Sequence, residues 1–276
     1  MRLAPLALVA ALAAAPARAA DAPVTVVACA PGYPGSTAEA QPSMDAFATA
    51  LTKAAGWASG QVVASYASTE KDGLARLAEA GIALVPLPFF VKHAAGLHLT
   101  ARLVVEQKGL GPTETWTLVA KKGRVGKPAD LASLTVVSIA GYAPAFVREV
   151  LGPDWRLPEA TQVKESSQVL SALRRAVQGE NVAVLLDGAQ GKALATLPFA
   201  ADLDVLAHSA PLPAALVTTV GSRLSPARWA PLDKALLGLP KTPEGAAALD
   251  GIRMVGFSPA DAATLKTVRA LQGPPH

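Results

Sequence analysis

The sequence has a single cysteine, few aromatic residues and no strong excess of charge of either sign. Aromatic residues make up 5 % of the 276 residues, charged residues make up 17 %, and the formal net charge is +4 at pH 7. One cysteine excludes an internal disulfide bond. A charge this small does not indicate a basic surface for nucleic acid, so we expect no nucleic-acid partner. The hydrophobic fraction of 51 % predicts a globular chain with its own core.

Long apolar runs are also missing, except at the N-terminus. Arg2 supplies a positive start, residues 3–15 are apolar, and Ala17-Arg18-Ala19 has the small-x-small pattern of a cleavage site. Residues 1–19 therefore predict a signal peptide that is cleaved near Ala19. We expect a periplasmic or secreted protein that is soluble after cleavage, with no membrane span.

The lone cysteine, Cys29, follows Val26-Val27-Ala28, which superficially matches a bacterial lipidation motif. Such a motif closes the apolar leader directly, whereas here Arg18 and Asp21 intervene. We therefore do not expect lipid anchoring at Cys29. Its neighbours predict a small buried residue in the first strand.

Strand and helix patterns alternate along most of the chain, which predicts an α/β fold with mainly parallel sheets. The predicted strands cover residues 24–30, 61–66, 82–85, 99–105, 115–120, 134–139, 161–164, 181–186, 204–207 and 214–220. The predicted helices cover residues 42–55, 69–80, 142–151 and 167–178, with two further helices that begin near Ser225 and Ser258.

This alternation is interrupted between residues 99 and 120, where two strands follow each other without a helix. A second strand pair precedes the C-terminal helices. The pattern predicts two lobes joined by two extended crossings: lobe 1 from residues 20–120 plus 208–276, and lobe 2 from residues 121–207. A single doubly wound sheet is the competing interpretation.

The common catalytic motifs are absent from the sequence. No G-x-S-x-G or H-E-x-x-H occurs, and His93 and His98 are five residues apart, which misses one helical face. Residues 123–127 resemble a phosphate loop only faintly, because Pro128 stands where Ser or Thr is needed. We expect no enzymatic activity, no cofactor and no metal, with a secreted α/β enzyme as the less favoured alternative.

Several segments, in their order, resemble the type 2 periplasmic solute-binding proteins of the phosphate, phosphite and phosphonate uptake group. The segments are 96–105 followed by 115–122, Lys127-Pro128-Ala129-Asp130-Leu131 followed by 134–139, Ser209-Ala210-Pro211-Leu212-Pro213 followed by 214–220, and the closing segment 249–259. The resemblance covers most of residues 24–272.

The resemblance implies a two-lobe type 2 periplasmic-binding-protein fold, with two crossover strands as the hinge. It also implies a monomer that captures a small, phosphonate- or phosphate-like ligand and delivers it to an ABC permease. A receptor of the same fold that acts on a membrane sensor is the alternative. Residues 140–144, Ala-Gly-Tyr-Ala-Pro, lack the Ser/Thr-rich run of phosphonate binders, which leaves a larger, less charged ligand open.

In such folds, ligands meet the loops at the carboxyl ends of the strands. The candidate ligand-binding residues at these places are Tyr33, Ser36, Thr37, Phe89, Trp116, Tyr142, Ser166, Ser167 and Asp187. Hydroxyl groups from the Ser, Thr and Tyr side chains are expected to donate to the ligand. Asp187 either faces an amine or caps the helix that follows, Ser166 and Ser167 have capping as their alternative role, and Phe89 and Trp116 have core packing.

Overall fold

The protein consists of two α/β lobes, each built around its own β-sheet. The structure is a computed structural model that describes residues 22–33 and 35–271. The predicted signal peptide, residues 1–19, lies outside the described residues. The fold class predicted from the sequence is confirmed.

The strands and helices follow one another along the chain largely in the predicted alternation, but the last strand, Met254–Pro259, was not predicted and contains Ser258, where a helix was expected to begin. The strands are β1 (Val24–Cys29), β2 (Val62–Ala67), β3 (Ile82–Pro86), β4 (Leu99–Gln107), β5 (Thr113–Glu114), β6 (Thr117–Lys121), β7 (Thr135–Ser138), β8 (Gln162–Glu165), β9 (Val182–Leu186), β10 (Leu203–His208), β11 (Leu212–Pro213), β12 (Ala215–Val220) and β13 (Met254–Pro259). The helices are α1 (Thr37–Ala54), α2 (Glu70–Leu77), α3 (Leu87–Leu97), α4 (Pro144–Glu149), α5 (Val169–Val177), α6 (Gly188–Leu194), α7 (Pro226–Gly238), α8 (Pro243–Gly251) and α9 (Ala262–Leu271).

The first sheet has the strand order β13-β4-β12-β3-β1-β2. The pairs β1–β2 and β1–β3 are parallel, as βα units require. Strand β12 arrives from the other lobe and inserts between β3 and β4, antiparallel to both. The carboxyl ends of β1 and β2 therefore lie side by side at one edge of this lobe.

The second sheet has the order β10-β6-β9-β7-β8 and repeats this plan. Strand β7 pairs in parallel with β8 and with β9, while β6 lies antiparallel between β9 and β10. The carboxyl ends of β7, β8 and β9 thus share one edge, which faces the first lobe.

The chain passes between the lobes at two short strands that pair with each other. Strands β5 and β11 are antiparallel, with Leu212 opposite Glu114 and Pro213 opposite Thr113. Because β6 and β10 already belong to the second sheet, we propose lobe boundaries at β5 and β11. These positions lie a few residues from the sequence-based boundaries at 120 and 207.

Helix α3 was not predicted from the sequence. The chain leaves the buried strand β3 at Pro86, which acts as the N-cap, and Pro88 lies in the first turn. Proline fits there because the first turn of a helix needs no backbone N–H partner. The apolar run at Leu87-Pro88-Phe89-Phe90 hides the helical period, since all four residues are buried.

Most of the buried residues form two apolar clusters. One cluster spans the second lobe and continues across the lobe contact into Phe89 and Phe90 of α3. The other fills the outer side of the first lobe around Met44, Phe47 and Leu51 of α1. Within residues 22–33 and 35–271, none of the helices is both long enough and apolar enough to cross a bilayer.

Candidate functional site

A groove of about 570 Å³ lies between the two lobes. Its lining residues come from both sides: Gly32, Tyr33, Gly35 and Ser68 from the first lobe, and Glu165, Ser166 and Ser167 from the second. All of them lie at or just after the carboxyl end of β1, β2 or β8, where this kind of sheet presents its ligand-binding loops. The groove is therefore the candidate ligand site.

The first-lobe wall is the loop between β1 and α1. Gly32 has φ +82°, and a Cβ atom there would lie 2.6 Å from the carbonyl oxygen of Ile139 in the second lobe. Only glycine permits both the backbone angle and this close approach. The loop then turns into α1, whose N-cap Ser36 forms a capping box with Glu39.

The second-lobe wall is the segment between β8 and α5. The backbone N–H of Ser166 donates to the carbonyl of Ser138 at 3.0 Å, which anchors this segment on the end of β7. The Ser166 hydroxyl accepts from the backbone N–H of Gln168 at 3.1 Å. Ser167 is exposed beside it. Two serine hydroxyl groups therefore lie at the start of α5.

Deeper between the lobes, two carboxyl groups lie next to an aromatic hydroxyl. The hydroxyl of Tyr33 faces the carboxylate of Asp187, which is 3 % exposed at the end of β9. Burial raises the pKa of Tyr33 well above its usual range, and the charges of Asp187 and Glu114 act in the same direction. Burial also raises the pKa of Asp187, although the hydrogen bond from the backbone N–H of Gln190 lowers it in part. The tyrosine therefore keeps its proton and presents it to the acid.

Glu114 is the second of these acids, and it lies on the hinge strand β5. It is 5 % exposed, and its Oε2 accepts a hydrogen bond from the backbone N–H of Gly188 at 3.0 Å. Burial raises the pKa of Glu114 to about 8, and the nearby charge of Asp187 adds to the effect. The hydrogen bond from Gly188 and the nearby indole N–H of Trp116 oppose the shift without cancelling it.

A separate charged cluster connects the lobes next to the groove. Oε1 of Glu70, in the first turn of α2, lies 2.6 Å from Nζ of Lys92 and 2.6 Å from Nε2 of His93. Burial alone would raise the pKa of Glu70, but the hydrogen bonds from Lys92 and His93 outweigh it and lower the pKa. Lys92 Nζ also donates to the backbone carbonyl of Tyr142 at 2.6 Å.

Two buried donors have no hydrogen-bond partner within the part of the chain that the structure describes. They are the hydroxyl of Tyr142 and the indole Nε1 of Trp116. Burial raises the pKa of Tyr142 well above its usual range, helped by Cys29 and Glu70, so the hydroxyl keeps its proton. A buried donor without a partner is unfavourable, so the Tyr142 hydroxyl is ready to bond with a ligand or water, whereas the Trp116 indole N–H lies near the Glu114 carboxyl group and lowers its pKa.

The structure brings some of the residues expected from the sequence to the groove and places others elsewhere. Tyr33, Ser166 and Ser167 line the groove, and Asp187 and Tyr142 lie buried behind it. Asp187 caps α6 through Gln190, which is one of the two roles expected for it.

The remaining four candidates cap a helix, begin a helix or pack in the core. Ser36 caps α1, and Thr37 is the first residue of that helix. Phe89 and Trp116 are 0 % and 1 % exposed; Phe89 packs against His93, and Trp116 against Phe146 with ring centres 5.2 Å apart. These two aromatic rings therefore support the groove from the core.

Sequence reasoning missed several residues of the site, namely Ser68, Glu70, Lys92, Glu114 and Glu165. Ser68 and Glu165 could have been found by extending β2 and β8 to their ends. Glu70 follows the N-cap Thr69 of α2, and Lys92 lies on the unpredicted α3. Glu114 gives no sequence signal, because strand β5 has only 2 residues.

Cys29 lies at the inner end of β1 and is fully buried. Burial raises the pKa of its thiol to about 12, helped by the charges of Asp72 and Glu70. The thiol is therefore protonated at neutral pH and is not a nucleophile. Among residues 22–33 and 35–271, no three His, Cys, Asp or Glu side chains are grouped so that they could hold a metal ion.

Comparison with known proteins identifies the fold. No protein-family model and no curated protein sequence matches the chain. Among solved structures, XAC2383 of Xanthomonas citri bound to ATP has a TM-score of 0.70 at 13 % identity, over 91 % of this chain and 96 % of that one. The binding-protein component of an ABC phosphonate transporter of Pseudomonas aeruginosa has a TM-score of 0.63 at 15 % identity, over 91 % and 86 %.

A third similar structure is PhnD1 of Prochlorococcus marinus in complex with methylphosphonate. Its TM-score is 0.57 at 12 % identity, and the match covers 90 % of this chain and 96 % of that one. At these identities the similarity shows a shared fold, the two-lobe binding-protein architecture. It does not identify the ligand.

Proposed function

We propose that the protein is the extracytoplasmic solute-binding component of an ABC importer. The observation that carries this proposal is the groove, which takes lining residues from both lobes at the carboxyl ends of β1, β2 and β8. Two lobes joined by two short crossing strands can open and close about those strands. A solute bound between them would hold the lobes together until a permease at the membrane accepts it.

The groove supplies binding contacts and no complete catalytic arrangement, so we propose a binding protein that works as a monomer and catalyses no reaction. Similar folds carry the names of ABC-transporter binding proteins, which supports an ABC permease as the partner. The sequence-based signal peptide supports a location outside the cytoplasm. An importer of this kind needs no cofactor.

The charges around the groove favour a solute with an amino group. Asp187 and Glu165 have no salt-bridge partner within the described residues, while Lys92 is already bound to Glu70. Burial raises the pKa of Glu165, the charge of Glu70 adds to this effect, and the charge of Lys92 opposes it. We infer a surplus of negative charge at the groove from the unpaired carboxylates. An ammonium group next to Asp187 would reduce this surplus.

The hydroxyl groups of Ser68, Ser166 and Ser167 offer the other half of a recognition site, since they can donate to the oxygens of a phosphonate or a similar acid. We therefore propose a small zwitterion, with its amino group towards Asp187 and Tyr33 and its oxygens towards the serines. Inorganic phosphate and methylphosphonate lack the amino group and would bind more weakly.

Thermal-shift and calorimetric measurements test this proposal on the purified mature protein. The solute panel contains inorganic phosphate, methylphosphonate, an aminoalkylphosphonate, an aminoalkylsulfonate, amino acids and a simple alkylamine. A solute at 100 times its dissociation constant stabilises the folded state by about 2.7 kcal/mol, which gives a measurable rise in melting temperature. We expect the aminoalkylphosphonate or aminoalkylsulfonate to give the largest rise.

The matched variants are Asp187→Asn and Asp154→Asn. Asp187 is buried at the groove, whereas Asp154 is exposed on the second lobe. We expect Asp187→Asn to weaken binding of the amino-containing solutes at least tenfold, and Asp154→Asn to leave it unchanged. No stabilisation by any solute at millimolar concentration would contradict a binding role, and preferential binding of inorganic phosphate would contradict the proposed zwitterion.

A further inference from the structure

We propose that Glu114 is a positioning residue that carries a proton in the closed protein, and that lobe closure takes this proton up from solvent. The inference extends the proposed function, because it uses the same closure of the two lobes. The place of Glu114 in the hinge points to this role.

Glu114 lies between the hinge and the corner of the second lobe that follows β9. Its side chain leaves the crossing strand β5 and ends at the corner where β9 turns into α6, against the backbone N–H of Gly188. A Cβ atom at Gly188 would lie 2.6 Å from Cβ of Glu114, so the hinge and this corner are in direct contact. Asp187, the acid of the proposed amino-group site, is the next residue in the chain. Glu114 thus holds the corner that positions Asp187.

The second argument is the set of polar groups around the Glu114 carboxyl group. Asp187 approaches from the end of β9, Tyr33 from the β1–α1 loop of the first lobe, and the indole N–H of Trp116, which favours the ionised carboxylate, from the segment before β6. None of these groups is a cation. Two acids are therefore buried close together, and one of them keeps its proton, because two neighbouring carboxylates repel each other.

The third argument concerns the opposite side of Glu114, where a second pocket of about 290 Å³ lies behind the hinge. Its charged or titratable lining residues, besides Glu114, are Lys192 of α6 and His208 of β10. Lys192 Nζ donates to the carbonyl of Gly109 at 2.8 Å, and Nδ1 of His208 lies 3.1 Å from Oγ1 of Thr117. Neither side chain forms a salt bridge with Glu114. This side of Glu114 therefore supplies no cation that would hold its carboxyl group in the ionised form.

These contacts determine when the Glu114 carboxyl group gains and loses its proton. When the lobes separate, Tyr33 leaves with the first lobe, water reaches the carboxyl group, and Glu114 releases its proton to solvent as an ordinary exposed glutamic acid does. When the lobes close, water is excluded and one proton returns from solvent to the carboxylate. Burial raises the pKa of Glu114 to about 8 in the closed form. Closure is therefore favoured at neutral pH and opposed above that value.

The test needs no solute, which separates it from the test of the proposed function. Carbon-13 NMR of protein labelled at the glutamate side-chain carboxyl carbon follows each glutamate as pH rises from 5 to 10. Solution X-ray scattering over the same range follows the radius of gyration. The variants are Glu114→Gln, a neutral mimic of the protonated acid, and Glu79→Gln, which changes an exposed glutamate at the far end of α2.

We expect one wild-type glutamate resonance to titrate near pH 8, to disappear in Glu114→Gln and to remain in Glu79→Gln. We expect the radius of gyration of the wild type and of Glu79→Gln to increase across the same pH range, and that of Glu114→Gln to stay constant. Titration of every glutamate below pH 6 would contradict the proposal that Glu114 carries a proton in the closed protein. A resonance near pH 8 with no change in size in the wild type would overturn the link to closure.

If a solute from the panel binds, its affinity supplies an independent check. The dissociation constant of the wild type would then rise by up to tenfold per pH unit above the Glu114 pKa, and Glu114→Gln would show a flat profile at these pH values. A profile that is the same in both proteins would contradict the inference, even though solute binding itself had been demonstrated.

Discussion

Lys92 donates a hydrogen bond from Nζ to the backbone carbonyl of Tyr142 at 2.6 Å, and this contact joins a helix of the first lobe to a loop of the second. The same ammonium group lies 2.6 Å from Glu70, which holds it in place. The side chain of Lys92 is 35 % exposed, so water screens the pair only in part. The lobes are therefore held together by a polar contact next to the groove.

Replacing Lys92 with methionine is expected to favour the open form. The variant keeps most of the length of the side chain but loses the link to Tyr142, and a hydrogen bond that involves a charged group contributes about 1.5–3 kcal/mol. We expect a roughly tenfold weaker dissociation constant for the solute that binds best, measured by calorimetry. Lys53→Met is the control, because Lys53 pairs with Glu244 at the exposed surface of the first lobe. Equal affinities of the two variants would contradict a role of Lys92 in closure.

Gly32→Ala tests the closest approach of the two lobes. Its Cβ atom would lie 2.6 Å from the carbonyl oxygen of Ile139, which requires the lobes to separate. Gly60→Ala is the matched control away from the groove in the first lobe: its φ is nearly the same, +81°, but a Cβ atom there meets no atom within 4 Å. Both variants lose roughly 1–2 kcal/mol of stability from backbone strain. Only Gly32→Ala should also increase the radius of gyration and weaken solute binding.

The stability of the protein should fall between pH 5 and pH 9 because of Glu114. Its pKa is raised from 4.5 to about 8 in the folded protein, so over this range the folded state holds a proton that the unfolded state has lost. This stabilisation is complete below about pH 4.5 and is lost as pH rises to about 8. Urea unfolding should show a decrease of the order of a few kcal/mol in the wild type and a smaller decrease in Glu114→Gln. A larger decrease in the variant would contradict the assignment.

The contact between Trp116 and Phe146 is expected to stabilise the second lobe. Both rings are almost completely buried, and they meet edge to face with 5.2 Å between their centres. Phe146→Ala leaves a cavity and should cost about 3–5 kcal/mol in the free energy of unfolding. Leu170→Ala, at a side chain that is 45 % exposed, should change it by less than about 0.5 kcal/mol. Similar losses in the two variants would show that the ring contact contributes little.

Much of the fold could be predicted from the sequence, because strand and helix patterns report local periodicity. The buried strand β9 and the amphipathic helix α5 were both recognised in this way. Helix α3 was missed because its first turn, which contains Pro88, is apolar on all sides. The polar face on which a helical pattern depends is therefore missing from this turn.

The site was predictable only where it follows a strand. Tyr33, Ser166 and Asp187 come directly after predicted strands, and they lie at or behind the groove. Glu114 and Lys92 are brought to the lobe contact by tertiary packing, and no local pattern in the sequence encodes that packing. The net charge of the chain, +4, likewise gives no indication that carboxylates gather around the groove.

The most direct test of the account is a crystal structure of the mature protein grown with the panel solute that stabilises it most. We expect the solute to be enclosed between the lobes, with its amino group towards Asp187 and its oxygens at Ser166 and Ser167. Electron density for the solute on the outer surface of one lobe, with an empty groove between the two, would contradict the account.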